Sequence, residues 1–595
     1  MRQIQNIYSQ KIIDHNSVLT KLRSNSVNLG LLRLISAALL LFSIYQYAQF
    51  DVKAYGYIAI VSMILFYFLF KKHQQIGKSI KQELELIRIN EHELRALNGD
   101  LSCFENGKEF IDTSHPYSFD LDIFGQHSLF QYLNRTCTQI GKNKLADFLH
   151  RPKHTEIEAN QAAIKELSNN IDWRQLYTAL GKLNQDTQDS ISNIASWTSS
   201  ASFFNRSKNY LYLSFALPSI TIICAGLYLF MDNQAYEYAL SISFLVNLTF
   251  FGTLFKHIKK EYEQLNNSHK ILLTYSQLIA CIEGEIFQSD KLKTLQLRFK
   301  QDTTLASKSL ENLSSILFKL DSMHYGLPTV LANGLFLYHI HCIYRLNAWK
   351  SRYGLQLTAW LDALSEVDAL NSLANFSFNN PAFIFPQVSK EDVLIAEDLG
   401  HPLIAEQKRI CNSIQFTEQK FTILTGSNMS GKSTFLRTIG LNLILAKTGA
   451  PVCAKQFVFY PYELFISMRI DDSLHNNESF FFAELTRLKN LIESLNQSPK
   501  TFILLDEILR GTNSNDKYNG TVGLIEKLIA QKAIGIIATH DLSVTDLSKK
   551  HPDYLNNKCF EVEIKNDELY FDYLLKEGVC EKMSASFLMK KLNII

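Results

Sequence analysis

The 595-residue sequence has no surplus of charge of either sign: 60 Lys and Arg stand against 58 Asp and Glu, a net charge of +2. Such a balance neither demands nor excludes a polyanionic partner. It also lacks paired cysteines. The nine stand at 103, 137, 224, 281, 342, 411, 453, 559 and 580, none in a CxxC spacing. That argues against a zinc or disulfide framework and suits a reducing compartment; as residues they read as small apolar filler. No long linker, low-complexity tract or internal repeat is visible. A secretory leader is not expected, because the polar N-terminal stretch is too long and no small-residue cleavage site follows it. What the chain has in quantity is apolar surface: 46% hydrophobic residues and 12% aromatics, with 40 Phe and 26 Tyr. These values hint at a membrane-facing surface, and the length allows about three or four domains.

Four apolar segments pass the length test of roughly 17–25 residues for a spanning helix. They run from Leu34 to Phe50, Ala54 to Phe70, Tyr210 to Met231 and Tyr238 to Phe255. Each pair is joined by a short loop and reads as a hairpin. Arg2, Lys11, Lys21 and Arg23 precede the first span, and Lys71, Lys72, Lys78 and Lys81 follow the second. Arg206 and Lys208 precede the third; Lys256, Lys259 and Lys260 follow the fourth. The connecting loops hold only Lys53. Positive-inside logic then puts both termini and the large segments in the cytoplasm, as a multi-pass protein of the cytoplasmic (inner) membrane. The competing reading is of four core helices in a soluble protein, against which the consistent basic flanks weigh. A fifth stretch, Gly326 to Ile343, contains Pro328, Asn333, His339 and His341. If it crossed, the downstream part of the chain would lie outside, so it is read as a buried helix.

The rest divides by pattern. Residues 1–30, 71–110, 121–205 and 256–320 have helical periodicity. From about 390, short β-rich runs such as FTILTG and TFILLDE alternate with helices, as in a parallel α/β domain. The expected fold class is α + α/β: two transmembrane hairpins, a helical domain and a C-terminal P-loop domain. The expected boundaries are 1–120, 121–385 and 386–595.

Gly426-Ser427-Asn428-Met429-Ser430-Gly431-Lys432-Ser433, followed by Thr434, fits G-x-x-x-x-G-K-[ST]. It follows an apolar strand, Phe421–Leu424, and opens a helix, which is the context that gives the motif meaning. Such a loop curls backbone N–H groups around phosphate oxygens, and the helix N-terminus adds positive potential. Lys432 would reach the β- and γ-phosphates of ATP, and the Ser433 hydroxyl would ligate Mg²⁺. Some seventy residues on, the strand Phe502–Leu505 ends in Asp506 and Glu507. Asp506 would hold the Mg²⁺ through water and Glu507 would polarise the attacking water. His540, after the strand Ile534–Ala538, is placed to sense the γ-phosphate; alone it would read as structural.

TGSNMSGKST, DEILRGT and ATH resemble the corresponding segments of the MutS family of DNA mismatch-repair ATPases, whose ATPase domain is of the ABC type. Asn477 to Glu484 resembles that family's signature segment, with Ser479, Phe481 and Glu484 in place but Asn477 where glycine is usual and Glu478 where arginine is frequent. The resemblance implies that Ser479 contacts the nucleotide of a partner subunit, and hence a homodimer closing through its ATPase domains. Asn515 and Asp516 resemble the loop crossing that interface. His401-Pro402 and Asn412, and later Tyr573, Leu575, Gly578 and Ser584, resemble flanking segments. Upstream, residues 121–152, with Arg135, Thr136, Gly141, Leu149 and Pro152, resemble the start of the family's helical core and lever domain. The first 120 residues, largely two spans, stand in place of the domain that carries the mismatch-stacking Phe-x-Glu; Phe416–Glu418 is read as an accidental match. No nuclease-like C-terminal extension is expected. Three functions follow: a membrane-anchored MutS-like ATPase that binds DNA, an ATPase whose output is movement of the membrane, and transport. The resemblance favours the first. The sequence adds no basic groove to support it. The spans also lack the intramembrane charges a transport path would need.

Overall fold

The structure is a computed structural model that describes residues 2–184, 186–200, 209–231, 233–265, 268–301, 304–324, 326–427, 429–469, 480–565 and 568–580. It opens with two very long antiparallel helices, α1 (Arg2–Phe50, 49 residues) and α2 (Lys53–Leu97, 45 residues), which turn at Asp51–Val52. No proline interrupts either, so each polar segment and the apolar segment beside it form one rod of roughly 70 Å at 1.5 Å per residue. The polar halves pair through His15 Nδ1 and Glu83 Oε2 (2.8 Å) and through Ser26 Oγ and His73 Nε2 (3.2 Å). The apolar halves form the far tip and point their side chains outward: Leu41 is 69% exposed and Val61 64%.

The base of this hairpin docks on a helical body. The Tyr8 hydroxyl donates to Asn379 (2.7 Å), and Asn90 and Gln175 exchange amide hydrogen bonds at 2.9 and 3.2 Å. Buried Glu93 accepts from Arg135 Nε at 2.5 Å and from Asn379 Nδ2 at 2.8 Å. The body begins with α3 (Leu129–Leu133), α4 (Gln139–His150), α5 (Ile157–Asn169), α6 (Ile171–Lys182) and α7 (Gln188–Ser199). The second hairpin, α8 (Asn209–Phe230) and α9 (Gln234–Glu263), projects from it. The chain returns through α10 (Ser268–Gly284), α11 (Asp290–Leu297), a small antiparallel ribbon of β1 (Lys300–Gln301) and β2 (Thr304–Leu305), α12 (Ala306–Asp321), α13 (Gly326–Phe336) and α14 (Tyr338–Asn379).

The second half of α14 is the spine of this body, with Ala363, Leu364, Val367, Leu370 and Leu373 all buried. Its Asp368 carboxylate, buried, accepts from the Thr138 hydroxyl (2.7 Å) and the Thr138 N–H (3.0 Å) at the start of α4. Burial pushes that carboxyl up to about 6. The approach requires Gly141, where a Cβ would fall 2.1 Å from Asp368 Oδ2.

Among the described residues, four helices (α1, α2, α8 and α9) are long and apolar enough to cross a membrane, by length and composition. Gly326–Ile343 departs from the expectation of one buried helix. It breaks at Leu337, whose φ is +48°, into α13 and the start of α14. Ile340, Cys342 and Ile343 are buried, but Leu327, Val330, Leu331 and Phe336 are exposed, because α13 packs beside α8 and α9 rather than inside the body.

The C-terminal domain is α/β with two mixed sheets. Its elements are β3 (Gln387–Val388), β4 (Leu394–Leu399), β5 (Asn412–Phe416), β6 (Phe421–Gly426), α15 (Lys432–Thr448), β7 (Gln456–Phe459), β8 (Glu463–Ser467), α16 (Phe480–Gln497), β9 (Thr501–Asp506), α17 (Ser514–Ala530), β10 (Ile534–Thr539), α18 (Leu547–Lys550), β11 (Leu555–Lys565) and β12 (Glu568–Glu577). The larger sheet has the order β12-β11-β6-β10-β9-β8, parallel except for the antiparallel edge strand β12. β6, β9 and β10 are buried along their whole length, as strands covered on both faces must be. The smaller sheet, β3-β7-β4-β5, has antiparallel β4–β5 and β4–β7 pairs and was not expected from the sequence.

Residues 116–122 join the two halves. Pro116 O accepts from Ile466 N at 2.9 Å, and Leu121 packs on Gly440 of α15. One oxygen of buried Asp120 accepts from the N–H groups of Met468 (2.7 Å) and Arg469 (2.8 Å), and the other from Arg487 (3.0 Å). Asp122 pairs with Arg437 of α15 at 2.8 Å.

Removing Glu93 leaves the Arg135 guanidinium buried without its counter-charge, a loss of about 3–5 kcal/mol for pairs of this kind. Glu93→Ala should lower the thermal unfolding midpoint markedly, and Glu93→Ala combined with Arg135→Met should recover part of the loss. A single variant as stable as the parent would show that the pair is not the anchor of the first hairpin.

Candidate functional site

Three strand ends meet at one edge of the larger sheet. β6 ends at Gly426 and β9 at Asp506, with β10, ending at Thr539, between them. Ligands of open α/β sheets bind at this carboxyl edge. The loop from β6 to α15 needs left-handed backbone at Met429 (φ +65°) and at Gly431 (φ +103°), where a Cβ would also meet the Tyr573 ring at 3.1 Å. The loop turns back over the sheet edge, so α15 starts with its N-terminus facing the cavity.

That cavity has a volume of about 440 Å³ and takes in Ser427 and Met429 to Phe435, with Glu507 on one side. His401, Asn412 and Tyr573, picked out in the sequence by family wording, also line it. Ile404, Lys408 and Ile410, from the loop before β5, and Phe560 of β11 also line it and were missed, because neither segment carries a pattern that marks a ligand.

Within the loop, Lys432 Nζ donates to Gly426 O (2.9 Å) and Ser427 O (3.1 Å), and lies 3.4 Å from His540 Nε2. Burial pulls its pKa down. The Ser433 hydroxyl donates to Asp506 Oδ2 at 2.5 Å. Burial pushes the Asp506 carboxyl up, while the Ser433 hydrogen bond opposes that shift. His540 Nε2 stands 2.5 Å from Glu507 Oε1, and this contact holds the Glu507 carboxyl down at about 2. Glu507 is therefore ionised at neutral pH. Its backbone is left-handed (φ +51°), as is that of Leu509 (φ +58°), strain of the kind that collects at functional sites. Glu484 of α16 holds this turn: its carboxylate accepts from Leu509 N at 2.5 Å and Arg510 N at 3.2 Å.

The structure thus brings Gly426, Ser427, Met429, Ser430, Gly431, Lys432, Ser433, Thr434, Asp506, Glu507 and His540 to one place. Asn428 and Ser479 lie outside the described residues, as do Asn477, Glu478 and Ser584. Asn515 and Asp516 are exposed in the first turn of α17, where Asn513 caps Asp516 N at 2.9 Å.

The donor set fits a phosphate group and a hard cation. Ser427 Oγ, Ser430 Oγ and Asp506 Oδ1 are buried with no hydrogen-bond partner among the described residues, and buried polar atoms are rarely left so. Ser433 and Asp506 supply the hard oxygens Mg²⁺ prefers, close together at the start of α15.

Comparison with known proteins falls on the same residues. Residues 422–590 match the family model for MutS domain V. The chain is 31% identical over 255 residues to MutS protein homolog 4 of Homo sapiens, covering 41% of this chain and 25% of that protein. It is 30% identical over 227 residues to the DNA mismatch repair protein MutS of Thermotoga maritima, covering 37% and 28%. The Aquifex pyrophilus DNA mismatch repair protein MutS is 32% identical over 222 residues, covering 36% and 25%. The matched part spans about a quarter of the length of these relatives. The loop that lines this cavity, together with Asp506 and Glu507, lies inside the stretch that matches MutS domain V, so the C-terminal part of this chain is a domain of the MutS family.

Proposed function

We propose that the protein is a membrane-anchored, MutS-like ATPase that binds and hydrolyses ATP with Mg²⁺, closure of two such domains moving its lever helices. The observation that carries the ATPase assignment is the juxtaposition of the Ser433–Asp506 pair with the Glu507–His540 pair beside Lys432. Lys432 has three N–H donors, two of them held by its own loop. That fixes the ammonium at the loop, where it would offset phosphate charge. Ser433 and Asp506 would hold Mg²⁺, which when bound neutralises charge on the phosphates. Glu507, kept ionised, would take the proton of the attacking water at a carboxylate oxygen. His540 holds that carboxylate in position, and Glu484 holds the strained turn that presents it.

ATP hydrolysis should require Mg²⁺ and disappear in Lys432→Ala through loss of nucleotide binding. Glu507→Gln should still bind ATP but hydrolyse it about 10²–10⁴-fold more slowly, the usual contribution of a general base. Equal turnover by Glu507→Gln and the parent would refute the assignment.

As output, we propose DNA binding by a homodimer in which Ser479 reaches the partner's nucleotide. Support comes from the names of the relatives, two of which are DNA mismatch repair proteins. A second reading, in which the membrane itself is moved, is favoured by the outward-facing apolar tips of both hairpins. Junction residues Asp120 and Asp122 tie the body bearing both hairpins to β8, α15 and α16, and would pass closure on in either case. DNA binding by the detergent-solubilised protein should weaken linearly on a log–log plot against salt, with a slope of about −0.9 per phosphate neutralised. Absence of any salt-dependent DNA binding would leave the membrane as the output.

The location proposed is a cytoplasmic membrane, with α1–α2 and α8–α9 spanning as hairpins and the ATP site inside. In intact cells, an impermeant thiol reagent should label a cysteine placed at Asn233, at the exposed α8–α9 turn, in a background without native cysteines. It should not label one at Asn496, exposed on α16. Labelling at Asn496 from outside would overturn this topology.

A further inference from the structure

We propose that α13 and the start of α14 form a re-entrant element, dipping from the cytoplasmic face to mid-bilayer beside α8 and α9 and returning. This rests on the reading of α8 and α9 as spans. Residues 322–344 contain no Asp, Glu, Lys or Arg, between Asp321 and Arg345. Asp321, just before, is bonded by Tyr262 near the charged end of α9.

The depth of the turn is fixed by contacts along the spans. Asn247 of α9, fully buried, donates from Nδ2 to Thr221 Oγ1 of α8 (3.0 Å) and to Gly334 O of α13 (2.7 Å). Gly334 sits so close to α9 that a Cβ would fall 2.2 Å from the Phe244 ring. Asn247 is nine residues from Lys256, the first cation after the span, and Thr221 is ten residues from Leu211. At 1.5 Å per residue both give roughly 14–15 Å, half of a hydrocarbon core of about 30 Å. On the way back, His339 lies against Phe251, Tyr344 bonds the Leu211 backbone, and Asn347 Nδ2 donates to Glu261 at 3.1 Å, back at the charged end of α9.

Hydrocarbon offers no partner to a free backbone group, so non-helical backbone survives at depth only where protein satisfies it. The break at Leu337 meets that condition. Leu337 N donates to Asn333 O (3.1 Å) and His339 N to Asn333 Oδ1 (3.1 Å). Asn333 Nδ2 donates to His339 Nδ1 at 2.7 Å, leaving His339 Nε2 to pair with Ser322 Oγ at 3.0 Å. α8 carries an independent mark of the same fit. Pro218 has no N–H, so the Ser214 carbonyl, four residues earlier, loses its helical donor. His341 Nε2 lies 3.0 Å from that carbonyl and donates to it. The outer face of α13, with Leu327, Val330 and Leu331 at helical spacing, is exposed and continuous with the apolar surface of α9. The occupant of that face is the acyl-chain region of the cytoplasmic leaflet.

The test uses the native full-length chain in phosphatidylcholine vesicles, with a hydrocarbon-resident diazirine photolabel and peptide mapping. Label at Leu327–Leu331 should match that at Ile242–Val246 of α9 and exceed that at the exposed residue Leu355 about tenfold, as partitioning of an apolar probe dictates. Label at Ile242–Val246 without label at Leu327–Leu331 overturns the re-entrant element and spares the spans. Absence of label from Ile242–Val246 overturns the spanning reading, and this inference with it.

Discussion

The Asp120 carboxylate is the contact on which the two halves of the molecule depend. One oxygen takes two consecutive backbone N–H groups just past β8 and the other takes Arg487 of α16. A carboxylate bonded this way is costly to release, because pulling it away strips several charge-assisted hydrogen bonds at once. With Asp122 on Arg437 of α15, it couples the helical body to the helix that begins at Lys432. These contacts tie α15 and α16 directly to residues 116–122. In the proposed function a shift of either helix would be passed to residues 116–122 and from there to the body that carries both hairpins.

The same device recurs at three other buried carboxylates. Asp368 holds the start of α4 against α14, Glu93 holds Arg135 beneath the first hairpin, and Glu484 holds the turn after Glu507. Each joins segments far apart in sequence, and each is satisfied by donors that water would otherwise supply. In the proposed function this makes the body a stiff frame.

The hairpin tips invert the packing rule of the rest of the chain. In the body and the sheets, apolar side chains face inward; along the apolar parts of α1, α2, α8 and α9 they face outward, and the polar residues Asn247 and Thr221 face each other. That inversion is what a hydrocarbon solvent would select.

The local part of this structure was legible in the sequence. The loop from Gly426 to Ser433 announces itself because a phosphate-cradling turn demands glycines, a lysine and a hydroxyl at fixed spacing. The acidic pair at 506–507 follows a strand whose unbroken apolar run reports burial on both faces. The four long apolar helices were legible for the same reason, since composition alone decides which solvent a long helix tolerates. What composition cannot report is partnership between distant segments. That Glu484 supports the turn after Glu507, that Lys408, Ile410 and Phe560 close the cavity beside Lys432, and that β3, β4, β5 and β7 make a second sheet were all settled by tertiary contact. The stretch Gly326–Ile343 shows the division most clearly. Its sequence states that it is apolar and uncharged, and allows a buried helix. Only the packing of Gly334 on Phe244, and of His341 on the carbonyl freed by Pro218, decided that it breaks at Leu337 and turns back. Side-chain spacing encodes the period of one element, whereas the donor that completes a broken hydrogen bond comes from another.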